Sequence, residues 1–255
     1  MTPDGAVVPA ALADGAVSSA DGAVSTTLAP GDTTVTLMVA GRSRQVFVHA
    51  PPQVGSRPLP LVLALHGNGD TFQNFVRTSK LSANADTDGY VLVAPAGIQQ
   101  TIVVGGQTVP NVSWDAYRST GEGNIDLPLF EELRSRYLAT GAIDPKKVVV
   151  YGYSQGGFAS FRWALEASAK ISCSAVISSA NPFGGGGRIS DMNRKVAFAL
   201  QMGSNDAAAA NARSTKTALE QAGHPVSFVE VAGAGHSPLP GDARAPLTFC
   251  LAQTL

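Results

Sequence analysis

The chain has 255 residues, 44% of them hydrophobic, which is enough for one large core or two small ones. Only 15% are charged, with 18 Lys plus Arg against 19 Asp plus Glu for a net charge of −1, so the basic surplus that nucleic acid demands is missing. The longest apolar runs, such as Leu59–Leu65 and Val196–Met202, fall far short of the ~18 residues of a membrane helix, so no span is expected.

Residues 1–30 read as a low-complexity tether. Asp-Gly-Ala-Val recurs at Asp4–Val7, Asp14–Val17 and Asp21–Val24, and no aromatic residue precedes Phe47. Met1–Pro9 has neither the basic start nor the apolar core of a secretory leader. From residue 31 to 255 the pattern predicts one domain. Thr33–Ala40 and Arg44–Ala50 alternate about Ala40-Gly41-Arg42-Ser43, as a β-hairpin does. Leu61–Leu65 is a short continuous apolar run, suited to a strand covered on both faces. A helix is predicted over Phe72–Asp88, capped by Asp70 or Thr71, then a buried strand over Tyr90–Ala94 and a long Gly-rich loop through Gly123. Ile125, Leu129, Phe130, Leu133, Tyr137 and Leu138 keep helical spacing within Ile125–Thr140. Strands at Val148–Tyr151, Ser174–Ser178, Val196–Gln201 and Val226–Val231 then alternate with helices at Gln155–Ala169 and Asn211–Ala222. Such alternation predicts right-handed crossovers and an open, three-layer α/β architecture with a mostly parallel sheet.

Chemistry concentrates at Gly152-Tyr153-Ser154-Gln155-Gly156, placed between a strand and a helix. A serine on such a sharp turn needs small neighbours two residues away on either side, and the helix start behind it favours a developing oxyanion. The serine hydroxyl needs a base, and in this architecture the base follows it in the chain. Of four histidines, His49 and His66 precede Ser154, and His224 ends a helix at the wrong edge of the sheet. His236, after the last strand in Gly233-Ala234-Gly235-His236, shares the carboxyl edge with Ser154. Asp206 lies at that edge too, whereas Asp191 precedes its strand, Glu166 and Glu220 lie within helices, and Glu230 lies within a strand. The expected triad is therefore Ser154, Asp206 and His236. The oxyanion hole is expected from the amides of Gln155 and Asn68, with Gly69 as the alternative to Asn68. Trp114, in Ser113-Trp114-Asp115, either stacks against a substrate ring or packs under its own loop. Gly184–Gly187 lacks the Lys-Ser/Thr of a phosphate cradle and reads as a loop, and Asn111-Val112-Ser113 fits a glycosylation acceptor. Cys173 and Cys250 form either one bridge, given an oxidising compartment, or two separate buried thiols.

Leu65-His66-Gly67, Asn124–Leu133 and Ile143-Asp144-Pro145-Lys146-Lys147-Val148 leading into Tyr151–Gly157 resemble the esterase/polyhydroxybutyrate depolymerase family of α/β-hydrolases, from about Thr33 to the C-terminus. That family includes feruloyl and acetylxylan esterases. The resemblance implies an α/β-hydrolase fold, no cofactor or metal, export from the cell, and the same triad, with the amide of Asn68 in the oxyanion hole. One departure stands out: polymer-degrading members often carry cysteine where this chain has Asn68. The expectation is a monomeric, secreted serine ester hydrolase, acting through an acyl-enzyme on neutral small-molecule or polymeric esters. An acyltransferase with the same triad, or a catalytically silent carbohydrate-binding or adhesion module, are the rival readings.

Overall fold

The computed structural model describes residues 27–104, 106–238 and 244–255, and the side chains of 102–104 are not among what it describes. The tether expected over residues 1–30 lies outside the described residues up to position 26.

The hairpin comes first, as β1 (Gly31–Val39) and β2 (Arg42–Ala50), paired antiparallel. Its two-residue turn needs positive φ at both positions, and Ala40 and Gly41 take 49° and 74°. The apolar runs become β3 (Leu59–Leu65), β4 (Val91–Pro95), β7 (Ile143–Tyr153), β8 (Cys173–Ile177), β9 (Ala197–Gly203) and β10 (Val226–Val231). With the hairpin they form an eight-stranded sheet in the order β1-β2-β4-β3-β7-β8-β9-β10. All neighbours from β4 to β10 are parallel, and only the two contacts of β2 are antiparallel.

Period-2 alternation sends successive strand residues to opposite faces. Leu61, Leu63, Val148 and Val150 join one buried cluster with α3 (Leu127–Leu138), α4 (Gln155–Glu166) and α5 (Ala209–Gln221). Val62, Ala64, Val149 and Tyr151 join the other with α1 (Phe72–Thr78), α2 (Leu81–Asp88) and α6 (Arg244–Leu251). Helices thus cover both faces, and because β3, β7, β9 and β10 run parallel, the loops after them meet at one edge. Among the described residues no helix is long and apolar enough to cross a membrane.

Three segments depart from the sequence reading. The helix expected over Phe72–Asp88 is two, broken where Lys80 takes a φ of 52°; Thr71 caps the first, accepting from the Asn74 amide at 3.2 Å. The loop expected after β4 contains a second antiparallel pair, β5 (Ile98–Val104) and β6 (Gln107–Ser113). The third is α6, where no helix was expected; its Cys250 is disulfide-bonded to Cys173 at the start of β8.

Candidate active site

Ser154 is the single residue between β7 and α4, and its backbone is strained at φ 54°, ψ −121°. For a residue with a Cβ that conformation costs energy, and the surroundings over-determine it. Its N–H donates to the Ile177 carbonyl at 2.9 Å, and its carbonyl accepts from the amides of Gly157 and Phe158. The flanking glycines are steric necessities. A Cβ on Gly152 would sit 2.0 Å from the Gly156 oxygen, and one on Gly156 would sit 2.1 Å from the Leu65 oxygen. No side chain fits either place.

The structure brings the three expected triad residues together. The Ser154 hydroxyl lies 2.9 Å from His236 Nε2, and His236 Nδ1 lies 2.8 Å from Asp206 Oδ2. A carboxylate only accepts, so Nδ1 carries the proton and donates it to Asp206, leaving Nε2 to accept from Ser154. The Asp206 side chain is 1% exposed against 48% for His236. Its second oxygen accepts from the Ala208 amide at 2.8 Å, which fixes the plane of the carboxylate.

The loops carrying Asp206 and His236 are tied to each other. Asn205 N–H donates to the Ala234 carbonyl and Gly233 N–H to Ser204 Oγ, both at 2.9 Å. They pass so closely at Gly203 that a Cβ there would lie 2.1 Å from the Ala234 oxygen. Ser178, at φ 47° just past β8, donates through Oγ to the Ser237 carbonyl at 2.7 Å. Neither Gly203 nor Ser178 was singled out from the sequence, because a glycine at a strand end and a serine after one carry no distinctive pattern.

The other acids and histidines are engaged elsewhere. Glu166 pairs with Arg162 and Arg188, Asp191 with Arg188, Glu220 with Lys216, and Glu230 with Arg213. His224 donates from Nδ1 to the Val196 carbonyl, and His49 lies between Asp32 and Asp86. His66 is fully buried: Nδ1 donates to the Gly67 carbonyl at 2.7 Å, and Nε2 accepts from the Gly97 amide at 2.9 Å. Burial holds the His66 pKa below its ordinary value.

Asn68 follows β3 and Gln155 opens α4, so both amides stand at the same sheet edge as Ser154. The Gln155 amide is among the first N–H groups of a helix, which have no carbonyl one turn earlier to bond. An open cleft of about 550 Å³ runs from Ser154 past Asn68, Gln155, Gln100, Asn111 and Tyr117. Arg118 and Asp115 also line it and pair with each other at 2.6 Å.

Trp114 borders the cleft but is packed into the protein beneath it. It is 2% exposed, lies edge-on against Trp163 at 6.3 Å between ring centres, and donates from Nε1 to the His66 carbonyl. Its indole is the packing under the loop. The exposed aromatic at the cleft is Tyr117, set against Phe158 at 5.5 Å, and no motif in the sequence marks it.

Residues 38–227 match the family model for esterases. Among curated proteins, NocK of Nocardia uniformis subsp. tsuyamanensis, which is named an esterase, is 32% identical over 136 residues, or 51% of this chain. The match spans only 36% of NocK, so the chain covers about a third of that relative's length. Among solved structures, an S-formylglutathione hydrolase from Agrobacterium tumefaciens superposes with a TM-score of 0.70 over 88% of this chain and 96% of its own, at 16% identity. A ferulic acid esterase gives 0.63 over 86% and 95%, also at 16% identity. At that identity the likeness is one of fold, and it is the α/β-hydrolase fold.

Proposed function

This chain belongs to the Esterase family, and we propose that it is a serine carboxylic ester hydrolase working through an acyl-enzyme on Ser154. The observation that carries the reading is the unbroken line of hydrogen bonds from Ser154 through His236 to Asp206, at the mouth of an open cleft. In the reaction the Ser154 oxygen attacks the ester carbonyl while its proton passes to His236 Nε2, and Asp206 stabilises the imidazolium. The amides of Gln155 and Asn68 receive the negative charge of the tetrahedral oxyanion, each such donor contributing about 2.7–4 kcal/mol to lowering the barrier. His236 returns the proton to the departing alcohol. Water, deprotonated by the same imidazole, then releases the acid and restores Ser154.

Neutral esters are the proposed substrates. Arg118 and Asp115 cancel each other's charge in the cleft, and Asn68, Gln100, Asn111 and Gln155 line it with uncharged carboxamides. Carboxamides suit an alcohol portion bearing hydroxyl groups, and the exposed Tyr117 suits an aromatic acyl group such as that of a ferulic acid ester. Export is part of the proposal, supported by the Cys173–Cys250 bond, since disulfides persist in oxidising compartments.

Turnover of p-nitrophenyl acetate and butyrate by the wild type and by Ser154→Ala tests the reaction. The variant is expected to lose at least about 10⁴-fold in kcat. Turnover that survives the substitution would sink the proposal.

A further inference from the structure

Residues of the β5–β6 pair line the cleft, and the end of β6 with the residue just after it is bonded to both residues assigned to the oxyanion hole. Asn111 Nδ2 donates to Asn68 Oδ1 at 2.6 Å. Gly69 N–H, the next amide along the same loop, donates to the Val112 carbonyl at 2.8 Å. Two residues on, Trp114 N–H donates to Gln155 Oε1 at 3.0 Å, and the Trp114 ring holds the His66 carbonyl from below at 2.8 Å. One short stretch of chain, Asn111 to Trp114, thus grips the two halves of the hole, which come from the loop after β3 and from the start of α4.

We propose that Asn111 is a positioning residue for the oxyanion hole, holding the Asn68 amide in place through the Asn68 side chain. The assignment rests on the hydrolase reading above. An oxyanion hole works because its donors are fixed before charge develops, so no reorganisation is needed at the moment of reaction. The two amides differ in how they are held. That of Gln155 is fixed by α4, which packs against β7 and β8. Asn68 sits in a loop with no helix or strand of its own, next to Gly69 at φ 71°. A Cβ at Gly69 would lie 3.4 Å from Asn111 Oδ1, so Asn111 fills the space against the loop as well as bonding it. With the Asn111 carboxamide removed, the Asn68 side chain loses that bond, the Gly69–Val112 bond alone ties the loop to β6, and the Asn68 amide is held less firmly.

The test is a double-mutant cycle on Asn111→Ala and Asn68→Ala, with Asn111→Leu as a variant of nearly equal shape that offers Asn68 no polar atom. Each is assayed for kcat and KM on p-nitrophenyl butyrate and for affinity toward a trifluoromethyl ketone, whose adduct with Ser154 carries the oxyanion. Loss of a whole donor costs about 10²–10³-fold, so a loosened one is expected to cost about 10-fold in kcat and in ketone affinity, with KM little changed. Asn111→Leu should lose about as much. The Asn68→Ala/Asn111→Ala pair should lose no more than either alone, since the amide itself remains in both. The proposal is overturned if the Asn111 variants keep wild-type kcat and ketone affinity, or if the two losses multiply. A Ser154→Ala control separates the two questions. If that control retains turnover, the hydrolase reading fails; if it is dead while the Asn111 variants match wild type, only the positioning role fails.

Discussion

Asp206 shows how much of the proposed catalysis depends on single hydrogen bonds. One of its oxygens is occupied by the Ala208 amide, and the other faces His236 Nδ1. In Asp206→Asn the amide of Ala208 keeps the carbonyl oxygen as its acceptor, so the new NH₂ group turns toward His236. Nδ1 must then accept, the ring proton moves to Nε2, and Nε2 can no longer take a proton from Ser154. The substitution is expected to lower kcat on p-nitrophenyl esters by about 10⁴-fold, while Tm stays near wild type because shape and burial are retained. A variant with wild-type kcat would remove Asp206 from the reaction. The same residue illustrates why the site could be read from sequence: the order Ser, Asp, His and the position of each after a strand left one candidate for each role. Trp114 could not be settled that way. Whether an indole lines a cleft or fills a core depends on what lies beneath it, and Trp163 and the His66 carbonyl come from distant parts of the chain.

At the level of elements, the disulfide links β8 to α6 across 77 residues of sequence. In the chain-entropy view a closure of that length is worth about 4 kcal/mol, or a shift in Tm of about 10 °C for a chain of this size. Cys173 begins β8, at the edge opposite Ser154, so the bond braces the fold away from the chemistry. Cys173→Ala/Cys250→Ala, or treatment with dithiothreitol, is expected to lower Tm by about that amount and to leave kcat at 25 °C unchanged. Calorimetry and esterase assays on the same samples check both halves. The central strands were legible because each is a continuous apolar run with helices on both faces, and β10 falls on Val226–Val231, the range expected. The β5–β6 pair does leave a mark, since the β-branched run Thr101–Val104 and Thr108-Val109 flank Gly105-Gly106, but Gln99, Gln100 and Asn111 and the glycines around them give the stretch the composition of a loop. Its bonding to the Asn68 loop leaves no pattern in the sequence. The break at Lys80 escaped for a related reason, since lysine gives no warning of a positive φ.

Over the whole molecule, two of the three buried histidines among the described residues, His66 and His224, tie the stability of the fold to acid. His66 and His224 are each used as neutral rings. His66 Nε2 accepts the Gly97 amide, and His224 Nε2 is buried with no partner among the described residues. A second proton on either ring would therefore face a donor or an apolar wall, and burial lowers both pKa values below the ordinary 6.5. Unfolding exposes the rings and restores that value, so between the two pKa values the unfolded chain binds more protons than the folded one. Stability from these groups is then fully present above pH 6.5 and is lost as pH falls below it, at up to about 1.4 kcal/mol per pH unit for each ring. The chain is expected to melt several degrees lower at pH 5.0 than at pH 7.5. His224→Gln tests the cause without touching the cleft, because His224 lies at the edge opposite Ser154 and glutamine cannot titrate. The difference in Tm between the two pH values should shrink in that variant, leaving the part due to His66. An equal pH dependence in variant and wild type would show that carboxylates elsewhere, and not the buried imidazoles, govern the acid sensitivity of the fold.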